Sequence, residues 1–176
     1  MTSLLAQLAI GVLLLGSVGF TAPPTAEQHC VVNVEGQKAD GELITSQPRC
    51  FSRFSDAMDY ATGGKVHLAR SAQGSVMFED AQVSAQASSY TIGIHYTGYN
   101  GTGSSITITG SDCNGGYWNA TGYWVDNIRS SYNGCPVLVH CDEINLGGHC
   151  VATSPIGQIR NLGTLAGKVR SVEYTN

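Results

Sequence analysis

Two stretches in the second half of the chain share a pattern of residues in the same order, with loops that differ by a few residues, and this constrains the fold more than any other feature. The first opens with YTGYNGTG (Tyr96 to Gly103), then reaches Asn119-Ala120 and WVDNIRS (Trp124 to Ser130). The second opens with CDEINLGG (Cys141 to Gly148), then reaches Asn161-Leu162 and LAGKVRS (Leu165 to Ser171). An internal repeat of this length implies two copies of one supersecondary unit that bury a common core. YTIGIHY, leading into the first copy, and SSITITG, within it, alternate apolar and polar residues as half-buried antiparallel strands do. Only 12% of residues are charged while 22 are glycine, a balance that favours short strands and tight turns over long helices.

The repeat resembles the βγ-crystallin superfamily, whose motif is an aromatic residue, four residues, a second aromatic, any residue and then glycine. Gly103 and Gly148 stand at the glycine position, while Gly101 and Leu146 replace the second aromatic and Cys141 the first. A glycine is needed there because the first hairpin of such a unit folds back on itself, where φ turns positive or a side chain would collide. The tail NLGTLAGKVRSVEY is similar to the close of bacterial secreted βγ-crystallin-like proteins of the metalloproteinase-inhibitor type. The resemblance implies two Greek-key motifs forming a β-sandwich over residues 88–176.

Residues 4–20 form an apolar run closed by small residues before Ala22-Pro23-Pro24, the pattern of a secretory signal over residues 1–22. All six cysteines, Cys30, Cys50, Cys113, Cys135, Cys141 and Cys150, follow it. An even count in an exported chain implies disulfides. Fifteen pairings are possible; proximity favours Cys30 with Cys50, Cys113 with Cys135, and Cys141 with Cys150. A net charge of -4 with only nine Lys and Arg supplies no basic face, which argues against nucleic acid or anionic membrane as a partner.

Residues 27–85 lie outside the repeat and read as a small αβ segment of unknown role. Cys30 to Val34 and Gly41 to Ile44 suit two strands. In CFSRFSDAMDYATGG, Phe51, Phe54, Met58 and Ala61 recur at helical steps, which predicts one short helix over 52–62 with Ser52 as N-cap, Asp56 in its early half and Gly63-Gly64 at its end. Val66 to Leu68 reads as a further strand, and SAQGSVMFEDAQVSAQASS is too polar and weakly patterned to assign.

The superfamily's calcium signature is two Asn/Asp residues, two free positions, a hydroxyl residue and Ser. Here it is degenerate: the first copy retains Asp126, Asn127 and Ser130, the second has Lys168 and Ser171, and Arg129 and Arg170 stand where the hydroxyl ligand belongs. Calcium needs several oxygen ligands, and a fixed cation removes one and repels the ion, so no metal site is expected and no cofactor. His140-Cys141 and His149-Cys150 offer zinc-type ligands, but adjacent strand residues point to opposite faces and an oxidising compartment favours the disulfide. No arrangement ties a nucleophile to a base; His29, His67 and His95 stand alone, and the adjacent Asp142 and Glu143 suit solvation better than paired acid and base work. No catalytic residue is therefore assigned and the chain does not read as an enzyme. Tyr117, Trp118, Tyr123 and Trp124 form a candidate partner-binding cluster of aromatics, at least half of which the resemblance would bury. Asn100-Gly-Thr102 and Asn119-Ala-Thr121 match glycosylation sequons.

These readings lead to a secreted, disulfide-braced binding protein, expected to be monomeric. The resemblance implies an inhibitor of an extracellular peptidase; the alternative is an extracellular structural, glycan-binding or toxin-like module. The loops SDCNGG at 111–116 and TSPIGQ at 153–158 are the candidate contact segments.

Overall fold

The computed structural model describes residues 26–176; the leader expected over residues 1–22 lies outside them. Its strands are β1 (His29–Gln37), β2 (Leu43–Thr45), β3 (Arg49–Phe51), β4 (Thr91–Tyr96), β5 (Ser105–Thr109), β6 (Gly116–Asn119), β7 (Ser130–Asn133), β8 (Val137–Cys141), β9 (Cys150–Thr153), β10 (Ile159–Asn161) and β11 (Ser171–Thr175). Three short helices, α1 (Phe54–Ala61), α2 (Val76–Glu79) and α3 (Ala81–Ser88), fall between β3 and β4.

The strands make two sheets, mostly β and sandwich-like as expected. One runs β10-β7-β4-β5-β1-β2, with β3 also on β1; the other runs β6-β11-β8-β9. The third strand of each repeat is exchanged. β6, from the first copy, pairs with β11 of the second, and β10, from the second, pairs with β7 of the first. Residues 27–85 join the larger sheet through β1, which lies parallel to β5 from His29–Ser105 to Asn33–Thr109. On its other edge β1 is bordered in turn by β3 and β2.

The inner faces of the two sheets enclose Val32, Ile106, Ile108, Trp118, Leu138, Val172 and Tyr174. A second core lies on the outer face of the larger sheet, where Phe54, Met58, Met77 and Ala87 of the helices pack on Ile94, Tyr96 and Tyr132. Each large side chain so buried contributes roughly 1.5–3 kcal/mol. The half-buried reading of YTIGIHY is therefore corrected: every residue of β4 is buried, because one face meets the second sheet and the other meets helices. Ile92 and Ile94 belong to different cores although two residues apart. The register shifts between Thr91 and Gly93, and such a bulge reverses the side-chain alternation.

The predicted helix over 52–62 is α1, shorter at both ends. Ser52 is not its cap: Arg53 holds the N-cap position and gives no side-chain hydrogen bond, while Asp56 does lie in the first turn. Val66 to Leu68 is not a strand. Val66 is buried, but its amide bonds the Thr62 hydroxyl at 3.0 Å instead of a neighbouring strand. The unassigned segment after it holds α2 and α3. Asp80 caps α3 by accepting from the amides of Gln82 (2.9 Å) and Val83 (3.1 Å), followed by the alanine-rich AQVSAQAS; that cap and composition were the available signal.

All six cysteines are paired, as proximity favours: Cys30–Cys50, Cys113–Cys135 and Cys141–Cys150. Loops of about this length contribute on the order of 2–4 kcal/mol each by restricting the unfolded chain.

Candidate functional site

The two copies of the repeat close on themselves in the same way. Ser130 Oγ donates to the Gly98 carbonyl (2.7 Å) and accepts from the Gly101 amide (3.0 Å). Ser171 Oγ donates to the Glu143 carbonyl (2.6 Å) and accepts from the Leu146 amide (3.0 Å). Each hairpin is then tied to the other copy by an asparagine pair. Asn161 Nδ2 donates to Asn100 Oδ1 (2.7 Å) while the Asn100 amide donates to Asn161 Oδ1 (2.8 Å). Asn119 Nδ2 donates to Asn145 Oδ1 (2.8 Å) and the Asn145 amide to Asn119 Oδ1 (2.9 Å). Both sequon asparagines, Asn100 and Asn119, are thus engaged in structural pairs. Gly103 and Gly148 have φ of +76° and +73°, the region that glycine enters without strain.

The signature positions are filled by arginine chemistry. Arg129 Nη1 donates to the carbonyls of Thr97 (2.8 Å) and Asn127 (3.2 Å). Arg170 forks onto Asp126, Nε to Oδ1 at 3.1 Å and Nη2 to Oδ2 at 3.0 Å, and that carboxylate raises the guanidinium pKa further. Asn127 Nδ2 turns to the Tyr123 and Val125 carbonyls, and Lys168 lines a shallow hollow with Asp142, Glu143 and Arg170. Among the described residues, no group of three or more His, Cys, Asp or Glu is placed to hold a metal ion. A melting temperature unchanged within about one degree is therefore expected between roughly 1 mM calcium and chelator. Scanning calorimetry checks this; a clear upward shift would reveal a site that the arginines do not block.

Three of the four candidate aromatics are buried, in keeping with the expected burial of at least half, and this leaves only Tyr123 accessible to a partner. Tyr117, Trp118 and Trp124 are 5–6% exposed. Trp118 lies flat against His95, with ring centroids 5.8 Å apart and 2° between planes, and Trp124 belongs to the same inter-sheet core. Tyr123 alone is exposed, at 54%.

Histidines that are far apart in sequence meet between the sheets. His95 bonds Ser131 Oγ through Nδ1 and the Tyr174 hydroxyl through Nε2, both at 2.8 Å; His140 Nε2 bonds the same Ser131 Oγ at 2.9 Å. The serine has one hydroxyl hydrogen, so it donates to one ring and accepts from the other. No part of His95, His140, Ser131 or Tyr174 is exposed, so the group is a polar network inside the core, out of reach of any substrate. Four separate strands, β4, β7, β8 and β11, supply it, and no sequence spacing announces it. His140 points into this core while the thiol beside it is consumed by the Cys141–Cys150 bridge, so the four zinc-type ligands do not converge. His29 pairs with Ser105 Oγ at 3.0 Å, and His67 stands at the surface 3.1 Å from Asp59.

The loop between β9 and β10 is the best-formed exposed segment. Asn133, fully buried at the end of β7, holds both its ends: its Nδ2 donates to the Thr153 carbonyl (2.6 Å), its Oδ1 accepts from Thr153 Oγ1 (3.0 Å), its amide donates to the Gln158 carbonyl (2.9 Å) and its carbonyl accepts from the Gly157 amide (2.8 Å). Ser84 Oγ donates to the Gly157 carbonyl and Arg160 Nε to the Ser154 carbonyl, each at 2.9 Å. Ser154, Pro155 and Ile156 remain exposed, the isoleucine at 46%. The sequence marks the loop but not Asn133, a lone asparagine with no neighbouring pattern. The other candidate, 111–116, is pinned by Cys113–Cys135 and by the Gly115 amide on the Tyr174 carbonyl at 2.9 Å.

Fold and site define a mostly β, sandwich-like protein braced by three disulfides, the kind of crosslink that persists in oxidising compartments. No helix among the described residues is long and apolar enough to cross a membrane. No family model, curated protein or solved structure matches the chain.

Proposed function

We propose that the chain is a secreted, cystine-braced binding protein, built on two βγ-crystallin-like Greek keys, that inhibits an extracellular peptidase by presenting the loop 153–158. The exchanged third strands and the mirrored serine and asparagine bonds support the Greek-key part of this reading. The observation that carries the functional part is the loop itself: backbone anchored at both ends by Asn133, with Ile156 about half exposed at its tip. A loop already held in one conformation loses little entropy on docking, so most of its contact energy appears as affinity. An exposed aliphatic side chain at the centre of such a loop suits an apolar specificity pocket.

The test is a panel of extracellular metallo-, serine and cysteine peptidases incubated with the oxidised protein. Inhibition of at least one class at micromolar concentration is expected. Ile156→Asp should weaken it roughly thirtyfold, the equivalent of about 2 kcal/mol, with an unchanged melting temperature. No inhibition of any class removes the proposal, and inhibition indifferent to Ile156→Asp removes the loop from it.

A further inference from the structure

β1 and β5 run side by side only as far as Asn33 and Thr109. Beyond that pair β5 gives way to Gly110, while the register of β1 shifts between Val34 and Gly36 as it continues along β2. The two strands diverge, and the segment 111–116 crosses towards β6 beside the gap. The result is a cleft of about 290 Å³, at the lower end of the range of small-molecule sites.

Its floor is apolar, formed by Val34, Leu43 and Ile92 at the fringe of the inter-sheet core. Its rim carries Ser111, Asp112 and Asn114, and Asp112 is the only charged residue that lines it. The wall is fixed at three points: the Cys113–Cys135 bridge, the Gly110 amide on the Tyr90 carbonyl (3.1 Å) and the Gly115 amide on the Tyr174 carbonyl (2.9 Å). A site held in this way is preformed, so a ligand need not order it. Gly110 keeps the floor open: a Cβ there would meet Ile92 Cγ2 at 3.4 Å and Val34 Cγ2 at 3.6 Å, ordinary contacts inside the cleft.

We propose that this cleft binds a compact ligand with an apolar body and a single ammonium group. The body rests on Val34, Leu43 and Ile92, where removal from water supplies most of the affinity. The ammonium lies at the rim against the Asp112 carboxylate, with the Ser111 and Asn114 side-chain oxygens as further acceptors. Because Asp112 is exposed, the charge selects among ligands by a few-fold and does not dominate binding. The site is independent of the peptidase-binding loop.

The test is a titration of the oxidised, isotope-labelled protein with phenethylamine, 2-phenylethanol and phenylacetate, followed by amide chemical shifts. Saturable shifts are expected at Gly36, Gly110, Ser111 and Asn114, with the amine binding about three- to fivefold more tightly than the alcohol and the acid weakest. Asp112→Asn, at an exposed position, should bring amine and alcohol to parity. Gly110→Val should abolish binding of all three and leave the melting temperature unchanged or higher. Absence of saturable shifts at millimolar ligand, shifts confined to another face, an acid that binds as well as the amine, or a Gly110→Val protein that binds normally would each overturn the assignment.

Discussion

Between pH 6.5 and about 4.8, before most carboxylates titrate, the protein should lose stability steeply through His95 and His140. Burial holds the His140 pKa down to about 3, against a weaker upward pull from the Val151 backbone; its Nδ1 makes no hydrogen bond of ordinary geometry. Burial also holds His95 well below the usual imidazole range, and the adjacent His140 pushes it the same way. In the unfolded chain both titrate near 6.5. Above that pH neither state is protonated and the histidines are indifferent. Below it the unfolded chain takes up protons that the folded core refuses, so stability falls as pH drops, by about 1.4 kcal/mol per pH unit for each ring. Carried to its folded pKa, His140 alone removes roughly 5 kcal/mol, comparable with the whole stability of many domains. His29, also lowered by burial, adds in the same direction. Towards the lower end of this window urea unfolding should show a slope of two protons or slightly more, reduced by about one in His140→Gln. A flat profile, or equal slopes in the two proteins, would refute the buried neutral pair.

Trp118→Ala is expected to cost about 3–5 kcal/mol, because the indole fills the space between the sheets and its removal leaves a cavity that the rigid strands cannot close. Tyr123→Ala, at the other extreme of exposure, should shift stability by no more than about 0.5 kcal/mol. Chemical denaturation of both variants gives the comparison. A Trp118→Ala protein as stable as its parent would mean that the ring lies at the surface after all, and the aromatic-platform reading of residues 117–124 would return.

The parts of the structure that could be read from sequence are those where a residue type answers a local stereochemical demand. Gly103 and Gly148 are needed where φ is positive, and Asn100 and Asn145 (+55° and +57°) tolerate the left-handed region better than most residues. The cysteine pairs close short loops, so proximity alone selects them. Of the helical layer α1 was legible from its apolar period, but α2 and α3 were not, because they bury few side chains and show almost no apolar period; their place is fixed by the uncovered outer face of β4 and β7, a demand made elsewhere in the chain. Alternation misled at Val66, where a buried side chain copies the pattern of a strand although its amide is bonded to the Thr62 hydroxyl and not to a neighbouring strand. At the candidate loop, the exposed tip is visible in Pro155-Ile156-Gly157 but its anchor Asn133 is not, since four hydrogen bonds to a distant segment leave no mark on the residues around it. The His95–Ser131–His140 contact was hidden for the same reason.

The strand exchange between the two halves has a consequence for where such a chain can come from and how it can be cut. β6 belongs by sequence to the first copy and by hydrogen bonding to the sheet of the second, and β10 reverses the relation. Neither half can complete a sheet alone: excised, each would keep an unpaired edge and an unclosed core. A single copy could reach the same arrangement only as a two-fold dimer in which each subunit lends its third strand to the other, an isologous contact of the kind that gene fusion converts into one chain. The same lending makes folding an event of the whole, since the strands that finish each sheet arrive from the opposite half across long stretches of chain, at the loop-closure cost that slows topologies of this kind.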